Sequence, residues 1–180
     1  MGDAAPMRTL RTEDLTLEPQ VAGHAEALFS VLLDPAIYEF ENEPPASLEW
    51  LRERLTRLES RRSGDGSELW LNWVVRRGGE VIGYVQATVY SDGRAAIAYV
   101  FGSASWGRGW ASRSVRAMIA ELGESCGVRC LEATLKGANH RSLRLLERLG
   151  FSLAPEPLRG LRGVEEDELL MAYDITMISI

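Results

Sequence analysis

A single change in hydrophobic periodicity constrains the fold of this chain more than any other feature of its sequence. Between residues 21 and 58 apolar side chains recur at helical spacing, whereas from Leu69 onwards they alternate with a period of two, as in strands. Two hairpin signals, Gly78-Gly79 and Asp92-Gly93, interrupt the alternation. The sequence therefore predicts three successive antiparallel strands, at residues 69–75, 81–89 and 95–101.

The remaining elements are predicted on both sides of this meander. Before it lie a strand at 9–17, a helix at 21–33 that ends before Pro35, an ordered loop at 38–45 and a helix capped by Ser47. After it lie a helix from Ala111 to Leu122, a strand at 130–135, a helix that Asn139 caps and Gly150 ends, and strands at 151–154 and 168–175. This order predicts a three-layer α/β (α+β) domain, in which about four helices flank a mixed, mostly antiparallel sheet of six to seven strands.

Length and composition indicate one ordinary domain. The chain has 180 residues, of which 46% are hydrophobic and 26% charged. We expect a domain at residues 9–177 after a loose N-terminal tail at 1–8. No apolar segment approaches the roughly 20 residues of a membrane-spanning helix, and the first residues lack the apolar core of a secretory signal. The expectation is a cytoplasmic protein that does not enter membranes.

The residue content also argues against several classes of function. Cys126 and Cys130, with only His24 and His140 elsewhere, do not provide four ligands at zinc spacing, so no metal site is predicted. A net charge of -6 argues against nucleic-acid binding, which needs a basic face, but it is compatible with a cationic acceptor. A doubly wound dinucleotide-binding fold would alternate strand and helix from the start, and this chain does not.

The turn Gly107-Arg108-Gly109 is the first candidate for a binding site. It lies between a strand and the start of an amphipathic helix, where the first amides have no partner within the helix and the helix dipole is positive. Glycine lets the main chain approach an anion, and Arg108 adds positive charge. Turns of this kind are also glycine-rich for conformational reasons alone, so both interpretations stay open at this point.

A second pattern lies about thirty residues further on, where the next strand ends and the next helix begins. Its members are Asn139, Ser142, Leu145, Glu147, Arg148, Gly150 and Phe151. With Trp106-Gly107-Arg108-Gly109-Trp110-Ala111 they resemble the GNAT superfamily of acetyltransferases, closest to the ribosomal-protein N-terminal acetyltransferase (RimJ/RimL-like) branch. The segments Leu10–Leu17 and Leu131-Glu132-Ala133 resemble the same branch, so the similarity covers nearly the whole chain. Asn139 is also a good helix N-cap and Gly150 a good helix end, whatever the chain binds.

The resemblance implies acetyl-CoA as the cofactor, a sheet splayed between the strands at 95–101 and 130–135, and an amine acceptor on a small molecule or a peptide. Main-chain groups of Tyr99, Val100 and Phe101 would bind the pantetheine arm. The pyrophosphate would be held by Gly107, Arg108, Gly109, Trp110, Ala111 and Ser112. Asn139 and Ser142 would face the thioester.

Departures from the family pattern affect the catalytic and acceptor residues. The tyrosine that often protonates the leaving thiolate would fall at Leu146, so Ser142 becomes the nearest candidate for the acid. Glu18, Ala96 and Ala98 also replace residues that are frequent in the branch. Trp106 stands where many members of the superfamily have Gln or Arg, which is usual for this branch but lowers the local positive charge. Three carboxylates are candidates for the base that deprotonates the amine: Glu132, Glu39 and Glu41. Within the loop at 38–45, the residues expected to contact the acceptor are Tyr38, Glu39 and Glu41.

Four alternatives remain at the level of the sequence. The first is a non-catalytic acyl-CoA-binding or regulatory module of the same fold, and the second is an enzyme that uses a longer acyl-CoA. The third is a covalent mechanism through Cys126 or Cys130, for which the sequence shows no activating histidine. The fourth concerns assembly: a homodimer is compatible with this chain, but its five tryptophans can fill a core as readily as an interface.

Overall fold

A computed structural model describes residues 7–40 and 42–175. Its strands form one open sheet in the order β1-β2-β3-β4-β5-β6-β8-β7. The strands are β1 Leu10–Arg11, β2 Thr16–Pro19, β3 Glu68–Arg77, β4 Glu80–Tyr90, β5 Arg94–Phe101, β6 Cys130–Lys136, β7 Ser152–Leu153 and β8 Glu168–Asp174. The α-helices are α1 Ala25–Leu32, α2 Leu48–Leu58, α3 Trp110–Cys126, α4 His140–Arg148 and α5 Glu156–Leu161.

The predicted meander is confirmed as the centre of the sheet. Strands β3, β4 and β5 pair antiparallel, and their hairpins lie at the two predicted turns. Only the pair β5–β6 is parallel within the described residues, and α3 forms its crossover. The mixed, mostly antiparallel sheet predicted from the sequence is therefore confirmed.

The two faces of the sheet bury different sets of helices, because successive side chains of a strand point to opposite faces. In β4, Val85 and Ala87 point towards the larger core, which includes residues of α3 and α4. Tyr84 points to the other face, where it packs on the smaller core formed by α1 and α2. The site described below opens between these layers.

Several boundaries differ from the sequence-based prediction. The first predicted strand is divided into β1 and β2, because Thr12 and Leu15 form a turn in which the Thr12 hydroxyl accepts from the Leu15 amide at 3.2 Å. Helix α5 lies in the connection between the last two predicted strands. Pro157 does not prevent this helix, because a proline in the first turn costs no hydrogen bond. The described residues thus form a sheet of eight strands and five α-helices beside it, which is more of each than predicted.

The predicted helix ends are governed by local capping. The Ser47 hydroxyl accepts from the Trp50 amide at 3.0 Å, and the Asn139 side chain accepts from the Ser142 amide at 3.1 Å. Gly150 follows α4 with φ +98°. None of the helices within residues 7–40 and 42–175 combines the length and apolar character that crossing a bilayer requires.

Strands β5 and β6 separate along their length, and this separation positions the site. Their register runs from Arg94 opposite Cys130 to Ala96 opposite Glu132, whereas β5 continues to Phe101 and β6 to Lys136. The pairing between the two strands ends at Ala96 and Glu132. The predicted splay is therefore present.

Candidate active site

The gap between β5 and β6 opens into a cavity of about 350 Å³, here called the central chamber. Its wall includes Tyr99, Val100 and Phe101 of β5, Ala111 of α3, Asn139 at the N-cap of α4 and Ser142 of α4. The structure therefore brings together six of the residues that the sequence predicted to bind cofactor. Gly107, Arg108, Gly109, Trp110 and Ser112 are not in the chamber wall, but they adjoin it through Ala111.

The turn before α3 has the geometry expected of an anion site. Gly107 has φ +71° and Gly109 has φ +76°, a left-handed conformation that side chains with a Cβ rarely adopt. Gly109 is the N-cap of α3 and provides no side-chain cap, and the Arg113 amide donates to its carbonyl at 3.1 Å. The amides of residues 110–112 come before that bond, in the first turn of α3. They lie at the end of the helix where the dipole is positive.

Arginines surround this turn, and two of them were not predicted from the sequence. Arg141 of α4 stacks 3.5 Å above the Trp106 ring, and Arg77 of β3 lies 4.5 Å from the Trp110 ring. The Trp106 indole donates to the Phe101 carbonyl at 2.8 Å, which fixes the ring beneath Arg141. Because Arg141 lines the central chamber, it supplies positive charge there next to Trp106.

Asp34 connects the α1 layer to the start of the same turn. One carboxylate oxygen accepts from the Ser103 amide at 2.7 Å and the other accepts from the Ala36 amide at 3.0 Å. Hydrogen bonds from the Ser103 side chain and main chain, with a smaller contribution from Ala36, lower the pKa of Asp34. The folded state therefore stabilises the charged form of this carboxylate.

Replacing Asp34 with alanine should lower the free energy of unfolding at pH 7 by about 1 kcal/mol, the usual contribution of such bonds. A carboxyl group whose pKa is lowered by folding stabilises above its unfolded pKa, near 3.8, and loses this contribution as the pH falls through the folded value. The difference between wild type and D34A should therefore shrink between pH 5 and pH 2. Urea unfolding of both proteins across this range measures it, and a difference that is independent of pH would contradict the assignment.

The central chamber contains two hydroxyl groups in contact. The Tyr99 phenol and the Ser142 hydroxyl lie 2.6 Å apart, and both residues line the chamber. Leu146, at the position where the family often has tyrosine, also lines it. The sequence pointed to Ser142 but assigned only main-chain groups to Tyr99, so the phenol next to Ser142 is a functional candidate that sequence reasoning missed.

The structure places Glu132 in a setting that argues against its predicted role as a general base. The residue is only 4% exposed and is absent from the chamber wall, to which its neighbour Ala133 belongs. Its two oxygens accept from the Arg162 guanidinium at 2.8 and 3.0 Å, and Arg94 adds a contact at 3.2 Å. Because both oxygens are bound by arginine and the side chain does not reach the chamber, Glu132 is best understood as an anchor for the segment that follows α5.

A second cavity, here called the inner chamber, adjoins the central chamber beneath α2 and measures about 240 Å³. The two share the residues Ile37, Asn42, Arg54, Tyr84, Gln86 and Val100. Of the predicted acceptor residues, Tyr38 lines the inner chamber and its hydroxyl donates to the Leu32 carbonyl at 2.6 Å. Glu39 lines neither chamber, and Glu41 lies outside the described residues. Glu43 lines the inner chamber and was not predicted.

Burial keeps both phenols of the inner chamber neutral. Desolvation raises the pKa of Tyr84 to about 12, with a smaller opposing effect of Arg54. Desolvation also raises the pKa of Tyr38, helped by the nearby Asp34 charge. At neutral pH these groups are hydrogen-bonding hydroxyls and not bases.

The two cysteines lie away from both chambers. Neither Cys126 nor Cys130 belongs to a chamber wall, and desolvation raises the pKa of each thiol. Burial thus disfavours the thiolate that a covalent mechanism requires.

Comparisons with known proteins agree with this arrangement. Residues 14–152 match the acetyltransferase (GNAT) domain family. An uncharacterized N-acetyltransferase, p20 of Bacillus licheniformis, is 29% identical over 147 residues, which cover 81% of this chain and 83% of that protein. The ribosomal L7/L12 alpha-N-protein acetyltransferase RimL, solved with coenzyme A, superposes with a TM-score of 0.78 at 19% identity, covering 93% of this chain and 98% of that one. The ribosomal-protein-S5-alanine acetyltransferase of Vibrio fischeri gives a TM-score of 0.76 at 18% identity, covering 93% and 97%.

The family match, together with the fold, defines the class of protein as an acetyltransferase that uses acetyl-CoA. The chain belongs to the GNAT acetyltransferase family, whose cofactor is acetyl-CoA.

Proposed function

We propose that this enzyme transfers an acetyl group from acetyl-CoA to a primary amine by direct attack in a ternary complex. The observation that carries the proposal is the central chamber, which opens where β5 and β6 separate, adjoins the glycine turn before α3 and contains two hydroxyl groups in contact. The adjoining inner chamber gives an acceptor a separate place, so that both substrates fit at once.

Each part of the chamber suits one part of the cofactor. The amides at the start of α3, with Arg108 and Arg141 nearby, suit the pyrophosphate. The main chain of β5 from Tyr99 to Phe101 suits the amide groups of the pantetheine arm, and Asn139 and Ser142 suit the thioester end. When bound, acetyl-CoA supplies an acetyl group already activated as a thioester.

The protein's own groups then manage the protons of the transfer. The amine nitrogen bonds to the carbonyl carbon, the carbon–sulfur bond breaks, the nitrogen loses a proton and the sulfur gains one. Ser142 donates its hydroxyl proton to the departing sulfur, and the Tyr99 phenol at 2.6 Å replaces that proton or holds the hydroxyl in line. Main-chain amides of β5 polarise the carbonyl oxygen. Glu43 is the candidate base, because no other carboxylate of the described residues lines either chamber.

Two measurements on the purified chain test the proposal. Titration calorimetry should show one coenzyme A site per chain. Release of free thiol from acetyl-CoA should then depend on added amines or N-terminal peptides. Coenzyme A binding without turnover for any acceptor would instead indicate a non-catalytic binding module, and the absence of binding would overturn the site itself.

A further inference from the structure

Arg54 of α2 lies where three cavities meet. It lines the central chamber, the inner chamber and a third cavity of about 340 Å³ that extends along β3 and β4. Its guanidinium lies 5.8 Å from the Trp50 ring. Across residues 7–40 and 42–175 no carboxylate pairs with it, whereas Arg52 on the same helix pairs with Glu26 at 3.4 Å. Arg54 is therefore a cation at the junction of the three cavities.

The inner chamber beside Arg54 is apolar over most of its wall. Its apolar members are Leu28, Leu32, Ile37, Pro45, Trp50, Leu51, Leu55, Leu58 and Val100. Gln20 also lines it; the residue is only 6% exposed, and its amide nitrogen is buried without a hydrogen-bond partner in the described part of the chain. A buried polar group without a partner is costly, so this amide fits a ligand that brings an oxygen.

The inner chamber is also lined by a positive and a negative side chain. Arg54 and Glu43 both line it, but they are not within ion-pairing distance of each other. A positive and a negative side chain that face one cavity without pairing are complementary to a ligand that carries both signs of charge. An acceptor amine arrives protonated, so Glu43 suits its nitrogen and Arg54 suits an anionic group on the same molecule.

We propose that the acceptor is a small amine that also carries a carboxylate and an apolar side chain, with Arg54 binding the carboxylate and the inner chamber holding the side chain. Apolar α-amino acids have this chemistry. The guanidinium presents a planar set of donors that matches a carboxylate in two bonds, which an ammonium group does not. This inference rests on the proposed acetyl transfer and names its substrate class.

The test compares matched acceptors with the purified enzyme and saturating acetyl-CoA. The acceptors are leucine and phenylalanine, their amides, the corresponding amines without carboxylate, and short peptides with amidated C-termini. Wild-type enzyme should acetylate the free amino acids with kcat/KM at least about tenfold above their amides. The variant R54A should lose about 10- to 100-fold on the acids, the range expected for a bond to a charged group, while changing less than about threefold on the amides.

Two further variants separate charge recognition from structural damage. R54K keeps the charge without the planar fork and should recover only part of the preference, whereas R52A removes a neighbouring exposed charge and should behave as wild type. The inference is overturned if acids and amides are equivalent for wild type, if amidated peptides are the best acceptors, or if R54A lowers activity equally on all of them. Turnover of any amine in those cases leaves the proposed acetyl transfer standing, whereas no turnover of any acceptor overturns both.

Discussion

Replacing Gly109 with valine should weaken coenzyme A binding at least about 100-fold. Gly109 has φ +76°, a conformation that a β-branched residue adopts only under strain, so the variant must rebuild the turn. The amides at the start of α3 would then no longer converge on one phosphate. Loss of two bonds to a charged group, each about 1.5–3 kcal/mol, accounts for the expected size. Titration calorimetry measures the change.

The control for this variant is Gly66→Val. Gly66 has φ +73°, and nothing lies within 4 Å of the position that its Cβ would occupy, as at Gly109. It lies in the loop before β3 and lines none of the chambers. G66V should therefore lose stability by the same backbone strain and keep its affinity for coenzyme A. Equal affinities of G109V, G66V and wild type would show that the pyrophosphate is held elsewhere.

Replacing Ser142 with alanine should lower kcat about 100-fold, while the affinity for coenzyme A stays within about threefold. General acid catalysis contributes a factor of this order. Because Leu146 has no hydroxyl group, Ser142 is the residue of α4 that brings a hydroxyl group to the chamber wall. Tyr99→Phe should cost about tenfold, because it removes the partner at 2.6 Å but leaves the Ser142 hydroxyl in place. Initial rates at saturating substrates measure kcat, and calorimetry measures the affinity.

Matched variants elsewhere control for the loss of a hydroxyl group. Ser30→Ala removes a helical serine whose hydroxyl donates to the Glu26 carbonyl at 3.2 Å. Tyr90→Phe removes a phenol at the end of β4, where the ring lies 4.0 Å from Arg94. Both should retain kcat within about twofold. The effects of S142A and Y99F on the activation free energy should not be additive in the double variant, because groups that act as one unit are non-additive. Additive effects would show that the two hydroxyls work independently and that the proposed role of Tyr99 is wrong.

The acceptor side shows where sequence reasoning stopped. The loop at 38–45 was expected to contact the acceptor, and the structure places Tyr38 and Glu43 of that loop on the inner chamber but not Glu39. No spacing in the sequence distinguishes these neighbours, since a loop without a period does not reveal which side chains turn inward. The role of Arg54 was not predicted for a similar reason. Its position on α2 indicates an exposed helix face and says nothing of the cavities that meet there.

Glu132 shows the same limit in the opposite direction. Its place in a buried strand beside family-like residues suggested chemistry, but its partners Arg94 and Arg162 come from β5 and from the segment after α5, which lie 38 and 30 residues away in the chain. A salt bridge of this kind depends on how distant segments pack, and that information is not in the local pattern.

The sequence by itself determined the order of elements apart from the division of β1 from β2 and the helix α5, and it determined the two hairpins, the helix caps at Ser47 and Asn139, and the glycine turn before α3. These features depend on local interactions, in which a side chain acts on a backbone group a few residues away, so they can be recognised in a short stretch of residues. Only the tertiary structure decided that Tyr99 touches Ser142 and that Arg54 joins three cavities. Such contacts depend on strand register and on which helix covers which face of the sheet, and both are set by burial across the whole domain.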